Sequence, residues 1–399
     1  MSAILGSKPT FNLQINIVKP VLPVFTDMER GVHSILDSGM VTKGRYLFEF
    51  EEAIAAHLGV KHAIGVSSCT TGLMLTYQSL GLQGEVIVPS FTFMATVSAL
   101  NWCGIRPIFC DVNSKTTNLN PALIESLITS QTTAIVAVHN FGNPAEIGSL
   151  EKIAKNHGIK LIFDAAHGFG AKYYGFPVGK QGNAQVFSLS PTKLLIAGEG
   201  GIVATNDDSL AEKVKMGREY GNDGKYDSAF AGMNARMPEF NALMGLRSLD
   251  LLEKAAVSRN ETARIYVERL GRLPGISFQD VAHNNRSSYK DFSITIDENL
   301  FGLSRDELAQ SLRFENIDTR NYYDPPIHRQ TAYQHFYNGR ELPGTDLLAK
   351  TSLSLPIWTE MDHEITSGIC KAIEGIFENR QAIREHLNRG NQSYGFLPS

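Results

Sequence analysis

Lys193 and Asp164 are the two residues whose type and position point most directly to chemistry. Lys193 lies in the segment 187–201, FSLSPTKLLIAGEGG, between the apolar run NAQVFSLS and a glycine-rich turn that leads into GGIVAT. Asp164 ends the apolar run KLIFD and is followed by the small residues AAHG. Taken alone, a lysine after a strand is more often an exposed charge, and an aspartate there can simply cap a helix. The two together, each at the end of an apolar run, indicate a functional pair.

An amine and a carboxylate in this arrangement are the groups that a pyridoxal phosphate enzyme requires. One lysine forms the Schiff base with the cofactor, and one acidic group keeps the ring nitrogen protonated. The protonated ring then accepts the electrons left behind when a proton leaves the substrate, and the displaced lysine can move that proton. This interpretation makes Lys193 catalytic and Asp164 a cofactor contact, with Ser188 of the same SLSPTK segment beside them.

Two further segments supply what such a cofactor needs. The run 67–73, SSCTTGL, places small hydroxyl residues directly before the helix candidate LMLTYQSL, so helix N-terminal amides could bind the phosphate. Serine and threonine are also common there for purely structural reasons. In the run 89–96, PSFTFMAT, Phe93 follows an apolar strand, and both stacking on a pyridine ring and simple core packing stay open for it.

The elements that would position these residues alternate between buried strands and helices. Strands are predicted where short runs are apolar throughout, at 85–90, 106–112, 133–142, 160–166, 184–190 and 201–207. Helices are predicted between or after them, at 95–103, 121–128, 149–157 and 239–255. Such βαβ order builds an α/β fold with a mostly parallel sheet, whose ligands bind at the carboxyl ends of the strands. We expect a large domain over residues 1–255, with the N-terminal segment, and a smaller domain over 256–399.

Composition excludes several classes of protein. The 399 residues carry a formal charge of −4, and no basic run interleaved with aromatics suggests a nucleic-acid partner. No signal sequence and no apolar stretch long enough to span a membrane is visible, so we expect a soluble cytoplasmic protein. The four cysteines form no CxxC pair, which predicts neither a disulfide framework nor a metal site.

Read in order, the motifs resemble the sugar aminotransferases of the DegT/DnrJ/EryC1/StrS family, pyridoxal phosphate enzymes of fold type I. The segments that carry the resemblance are TKGRYLFEFEEAIAAHLGVKHAIGVSSCTTGL, VIVPSFTFMATVSAL, VHNFGNPAEI, FDAAHGFGA, FSLSPTKLLIAGEGG, GMNARMPEFNALMGL and LSLPIW. They are collinear and cover nearly the whole chain. The resemblance implies a mostly parallel seven-stranded sheet between helices, followed by a smaller C-terminal α+β domain.

The resemblance also implies roles for individual residues. Lys193 would be the Schiff-base lysine, Asp164 the partner of the pyridinium nitrogen and His167 a neighbour of the ring's phenolic oxygen. The remaining cofactor contacts would be Cys69, Thr70 and Ser188 at the phosphate, and Phe93 on the ring. An asparagine at the place of Asn234 reaches into the partner subunit's site in the family, which implies a homodimer with shared active sites. Weaker candidates for substrate contacts are Tyr220, Arg218 and Arg236, and a surface salt bridge is the alternative for the two arginines. Independently of the resemblance, the loop NYYDPPIHRQTAY (321–333) offers aromatics and His328 for substrate specificity.

The resemblance implies a ping-pong aminotransferase. Glutamate would load the amine, and the cofactor would pass it to a keto group of a deoxysugar linked to a thymidine, uridine or guanosine diphosphate. A keto-cyclitol acceptor and a non-catalytic sugar-binding or regulatory role are the alternatives. Lys193 is present where sugar dehydratases of the family carry histidine, which favours transamination. Cys69 departs from the family's usual glycine and is compatible with phosphate binding by amides only if its φ is negative.

Overall fold

The computed structural model describes residues 2–393, and twelve strands are described within this range. They are β1 (His62–Val66), β2 (Glu85–Pro89), β3 (Arg106–Cys110), β4 (Thr132–Val138), β5 (Lys160–Asp164), β6 (Lys172–Tyr173), β7 (Phe176–Pro177), β8 (Ala184–Ser188), β9 (Gly201–Thr205), β10 (Ile276–Phe278), β11 (Phe292–Ile296) and β12 (Ser352–Leu355). All six strands predicted from apolar runs are present as β2, β3, β4, β5, β8 and β9. The predicted segments extend past the strands into the loops, and the residues that directly follow β2, β3, β4 and β5 are buried like the strands themselves. After β9, however, Asn206 and Asp207 are exposed.

Helices lie before β1, between several of the strands and after β12. They are α1 (Phe25–Ser38), α2 (Arg45–Leu58), α3 (Cys69–Ser79), α4 (Ala95–Trp102), α5 (Ile147–His157), α6 (Asp208–Gly217), α7 (Glu239–Leu249), α8 (Leu252–Leu270), α9 (Glu298–Phe301), α10 (Arg305–Phe314), α11 (Pro343–Thr351), α12 (His363–Glu378) and α13 (Arg380–Ser393). None of the helices described between residues 2 and 393 is both long enough and apolar enough to span a bilayer.

Two helix predictions need correction. The segment 121–128 forms two 3-10 turns, Pro121–Leu123 and Glu125–Leu127, because Ile128 already has extended backbone and leaves no room for an α-helix. The single helix predicted over 239–255 is split into α7 and α8 by a turn at Asp250 and Leu251.

The large sheet has the strand order β1-β9-β8-β5-β4-β2-β3. Strand β9 runs antiparallel to both neighbours, and the other neighbouring pairs are parallel, which confirms the mostly parallel seven-stranded sheet. Helices cover both faces, so successive residues of β5 enter different cores: Leu161 and Phe163 pack on one side and Ile162 on the other. This explains why the strands are apolar throughout and do not alternate with polar residues.

A second sheet, β10-β11-β12, is antiparallel and lies in the C-terminal part. Its core contains Ile294, Leu353 and Leu355 together with residues of α8, α10 and α12. The N-terminal residue Ile4 is buried in this same core, although we assigned the N-terminal segment to the large domain. The domain division at residue 255 stays a prediction, and this packing places part of the N-terminal segment with the C-terminal sheet.

Candidate active site

A cavity of about 370 Å³ opens at the carboxyl ends of β4, β5 and β8. Its lining includes seven of the residues predicted from the sequence, namely Cys69, Thr70, Phe93, Asp164, His167, Ser188 and Lys193. We call Asp164, His167, Ser188 and Lys193 the floor of the cavity. Four lining residues from later in the chain, Lys290, Asp291, Tyr322 and Tyr323, form what we call the wall.

Asp164 is the last residue of β5 and is buried. Its Oδ2 accepts a hydrogen bond of 2.7 Å from the Thr96 hydroxyl, and its Oδ1 accepts one of 3.1 Å from the Ala166 amide. Burial raises the pKa of the Asp164 carboxyl, while these two hydrogen bonds act in the opposite direction. The carboxylate is therefore held in a fixed orientation at the cavity surface, where a cationic group would relieve its desolvation.

Lys193 lies on the loop between β8 and β9 and is half-buried. Its amide donates to the Ser190 carbonyl at 3.0 Å, which fixes the turn from which the side chain extends. Burial, with the nearby Lys290 ammonium, lowers the pKa of the Lys193 amine to about 8. A larger fraction of this amine is neutral near pH 7 than in an exposed lysine, so it is better suited to nucleophilic attack.

His167 follows β5 and is buried with its Nδ1 lacking a hydrogen-bond partner in the protein. Burial, together with the positive charges of Lys193 and Lys290, holds the pKa of the imidazole well below its usual range. The ring is therefore neutral. A buried polar atom without a partner is costly, and a bound group in the cavity could satisfy it.

The N-terminus of α3 supplies the predicted anion site. Ser68 caps the helix by accepting a hydrogen bond from the Thr71 amide, and the Thr71 hydroxyl in turn accepts one from the Ser68 amide. Cys69 and Thr70 begin the helix and line the cavity, so this positive helix end faces it. Cys69 is not among the residues with positive φ, which meets the condition set for its substitution of glycine. Its thiol lies 3.5 Å from the Val186 carbonyl oxygen and 3.9 Å from Asp164 Oδ1.

The other predicted residues lie outside this cavity. Asn234 is exposed and pairs through a backbone bridge with Glu219, whose carboxylate is 3.2 Å from Arg236. The Arg236 guanidinium also lies over the Tyr220 ring, 5.4 Å from its centre. His328 is buried and its Nδ1 is 2.7 Å from the Ser90 hydroxyl. The substrate or cofactor roles of Asn234, Tyr220, Arg236 and His328 stay predictions.

Arg218, also a candidate substrate contact, is buried deeper in the protein. It pairs with Glu51 and donates to the Gly65 carbonyl at 2.7 Å, so its charge is engaged beneath β1. The alternative for Arg218 was a surface salt bridge. Arg218 does form a salt bridge, but the pair is buried.

The sequence indicated that aromatics of the segment 321–333 contribute to specificity, and Tyr322 and Tyr323 of that segment line the cavity, but it did not single out Lys290, Asp291 or Thr96. Lys290 Nζ lies 2.8 Å and 3.1 Å from the two carboxylate oxygens of Asp291, and both residues are buried. The adjacent letters KD in SSYKDF have the composition of a solvated turn, so nothing in the pattern marks them. Thr96 could have been found, because it belongs to the same FMAT segment as Phe93, immediately after a predicted strand.

The floor residues fit pyridoxal phosphate. Lys193 offers a partly deprotonated amine, Asp164 a buried carboxylate, His167 an unpartnered Nδ1, and α3 an amide-lined anion site. These are the four kinds of contact that the cofactor's aldehyde, ring nitrogen, phenolic oxygen and phosphate require.

Comparison with known proteins decides the family. The profile of the DegT/DnrJ/EryC1/StrS aminotransferase family matches residues 26–374. The chain belongs to this family. Members of the family are pyridoxal phosphate-dependent aminotransferases, and the chain is accordingly an aminotransferase with the fold that its motifs predicted.

Three similar proteins illustrate the range of the family. An Escherichia coli dTDP-4-amino-4,6-dideoxy-D-glucose transaminase is 32% identical over 365 residues, which cover 90% of this chain and 98% of the relative. A Geobacillus stearothermophilus pleiotropic regulatory protein is 33% identical over 85% of this chain and 91% of its own. The crystal structure of DesI in the presence of its TDP-sugar product superposes with a TM-score of 0.90 at 34% identity and covers 98% of both chains.

Proposed function

We propose that this family member uses pyridoxal phosphate to move an amino group from glutamate to a keto group of a nucleotide-linked deoxysugar in a ping-pong reaction. The observation that carries the proposal is the cavity shared by the Lys193 amine and the Asp164 carboxylate. When bound, the cofactor would supply an aldehyde that binds amines and a ring that accepts electrons. A regulatory protein would not need both residues, and their presence favours catalysis over the regulatory alternative.

The chain's own residues have distinct tasks in this proposal. Lys193 would hold the cofactor and, once displaced from it, would take a proton from the donor carbon that bears the amino group; in the second half it would deliver a proton to the sugar carbon that receives the amine. Asp164, oriented by the Thr96 hydroxyl, keeps the ring nitrogen protonated. The phosphate would bind at the N-terminus of α3 with Thr70 and Ser188, and Phe93 would cover the ring.

An outer groove supports a nucleotide-linked acceptor. This groove, of about 560 Å³, shares Thr92, Phe93, Tyr322 and Tyr323 with the cavity, so the two spaces adjoin. Arg313 and Arg320 line the groove and not the cavity, and Arg320 also pairs with Asp318. Guanidinium groups are well suited to binding phosphate oxygens, so a sugar at the floor could extend its diphosphate toward these arginines. A keto-cyclitol, which has no diphosphate, would leave them unused.

The acceptor can be identified with the pyridoxamine-loaded protein. Incubation with a panel of thymidine, uridine and guanosine diphosphate keto-sugars, and with a keto-inositol, should return the absorbance of the pyridoxal form with one nucleotide sugar. Chromatography of the aminated product would then show whether the 3-keto or the 4-keto position reacts. Return of the pyridoxal absorbance with the keto-inositol alone would show that the acceptor is a cyclitol and not a nucleotide-linked sugar.

We also propose a homodimer in which Asn234 enters the partner's site. Asn234 is exposed and outside its own cavity, and the neighbouring Phe240 of α7 is 37% exposed. Inactive Lys193→Ala and Asn234→Ala proteins should regain activity when mixed and allowed to exchange subunits, because one site of the heterodimer contains both residues. No recovery after verified exchange, or a monomer in sedimentation, would show that each site is built from one chain.

A further inference from the structure

The wall contains a buried ion pair that the proposed chemistry leaves without a task. Lys290 and Asp291 are neighbours in sequence, are 8% and 7% exposed, and both line the cavity. Their contact of 2.8 Å satisfies each charge with the other. Burying such a pair is seldom more stabilising than apolar packing, so its position beside the reacting groups indicates a functional reason for it.

The backbone that carries the pair is firmly held. The Arg259 guanidinium donates to the carbonyls of Tyr289 and Lys290 at 3.1 Å each, and the Lys290 amide donates to the Phe141 carbonyl at 3.0 Å. The long Lys290 side chain is therefore the adjustable part of the pair. Its ammonium lies 5.6 Å from the centre of the Tyr322 ring and is otherwise paired with Asp291.

The charges of the cavity show what Lys290 can bind. Its lining residues include two lysines, Lys193 and Lys290, and three carboxylates, Asp164, Asp291 and Glu199. Lys193 is committed to the cofactor, and His167 is neutral. Lys290 is then the cation that remains in the described lining for an anionic group of a substrate.

We propose that Lys290 binds a carboxylate of the amino-acid donor and that Asp291 takes the ammonium back when the sugar acceptor occupies the site. The inference rests on the aminotransferase function proposed above. In the donor half, the ammonium lies between Asp291 and the donor carboxylate and offsets the repulsion between them. In the acceptor half, the sugar offers hydroxyl groups and no charge, and Asp291 prevents Lys290 from being left as an unpaired buried cation. One cavity can thus admit an anionic and an uncharged reacting end in turn.

Glutarate, an unreactive dicarboxylate, tests the binding directly by calorimetry on the cofactor-loaded protein. Loss of a charge-assisted contact in Lys290→Met should weaken glutarate binding at least about 30-fold. Asp291→Asn should bind glutarate as tightly as the wild type or more tightly, since it removes the competing carboxylate. The matched control is Lys172→Met, which removes a partly exposed lysine 3.4 Å from Glu253 and should leave binding unchanged.

Rates of the two half-reactions provide the second measurement. Lys290→Met should lower kcat/KM for glutamate about as much as it weakens glutarate, and should change the reaction of the pyridoxamine form with the keto-sugar less than about threefold. Asp291→Asn should lower the rate of the reaction with the keto-sugar more than it lowers the rate of the reaction with glutamate. Lys290→Arg, which keeps the charge, should recover part of the donor rate and also serves if the methionine variant is unstable.

Equal loss of both half-reactions, or unchanged glutarate binding in Lys290→Met, would overturn the inference. A wild-type protein that aminates a keto-sugar but does not bind glutarate would overturn it as well and leave the aminotransferase proposal intact. A wild-type protein that attaches the cofactor but aminates nothing on the panel would instead contradict the proposed function.

Discussion

The floor and the wall of the cavity differ in how their charged groups are held in place. The floor residues Asp164 and Lys193 are placed by the end of a central strand and by a tight turn, and their reacting atoms are oriented by fixed hydrogen-bond donors or by burial. The wall presents a self-contained ion pair and two tyrosines from segments that approach from the C-terminal part of the chain. Under the functions proposed above, chemistry would reside in the floor and substrate discrimination in the wall. Variants of each should therefore fail in different ways.

Lys193→Ala should have the largest effect. It removes both the covalent attachment and the proton carrier, so activity should fall by at least about 10⁴-fold, while the anion site at α3 still retains some cofactor. Borohydride reduction followed by peptide mapping should place the label on Lys193. Lys180→Ala, at an exposed lysine over the Phe176 ring, is the control; a label on Lys180 would contradict the assignment.

Asp164→Asn should have the second-largest effect on activity. A neutral amide cannot stabilise a protonated ring nitrogen, so turnover with glutamate should fall by about 10² to 10³-fold with little loss of cofactor. Asp207→Asn removes the charge of an aspartate that only caps α6, and asparagine caps equally well. Comparable, near-normal rates in the two variants would reduce Asp164 to a structural role.

The pKa of Lys193 predicts a pH effect of about tenfold per pH unit. Only the neutral amine attacks the cofactor, and its pKa is lowered to about 8. Attachment of pyridoxal phosphate to cofactor-stripped protein should therefore slow as pH falls below about 8 and level off above it, whereas an ordinary lysine would level off only above about 10. Stopped-flow absorbance measures the rate, and a midpoint near that of an ordinary lysine would show that burial does not tune this amine.

Thr96→Val should have the smallest effect. The change keeps the shape but removes the 2.7 Å hydrogen bond to Asp164, and losing a bond to a charged group should slow turnover about tenfold. The control is Thr76→Val, at a buried threonine in α3 whose hydroxyl donates to the Gly72 carbonyl. An effect as large as that of Asp164→Asn would mean that the orientation of the Asp164 carboxylate matters as much for turnover as its charge.

The floor of the cavity could be predicted from the sequence, whereas Lys290 and Asp291 of the wall could not. The interiors of β5 and β8 are buried and mostly apolar because both faces of the sheet are covered, and the carboxyl ends of parallel strands must meet, so Asp164 and Ser188 follow from pattern and topology. The split between α7 and α8 was missed because the apolar pattern runs on through the turn.

The wall depends on contacts between distant segments. Lys290 enters the cavity because Arg259 and Phe141 hold its backbone, and these residues are 31 and 149 positions away in the chain. Neither contact leaves a periodic signal. Tyr323 is likewise placed by stacking on Phe141, with ring centres 5.6 Å apart. Such residues are specified by packing, which a single sequence does not display.

Helix α8 ties the two sheets together. Its first residues, Leu252, Ala255 and Ala256, belong to the core of the large sheet, and Ala263, Tyr266 and Leu270 belong to the core of the small one. Its 19 residues make an unbroken rod roughly 28 Å long. A hinge at this crossing would have to break backbone hydrogen bonds along the rod. The two cores are therefore joined by one continuous helical backbone, which sets their spacing in the structure.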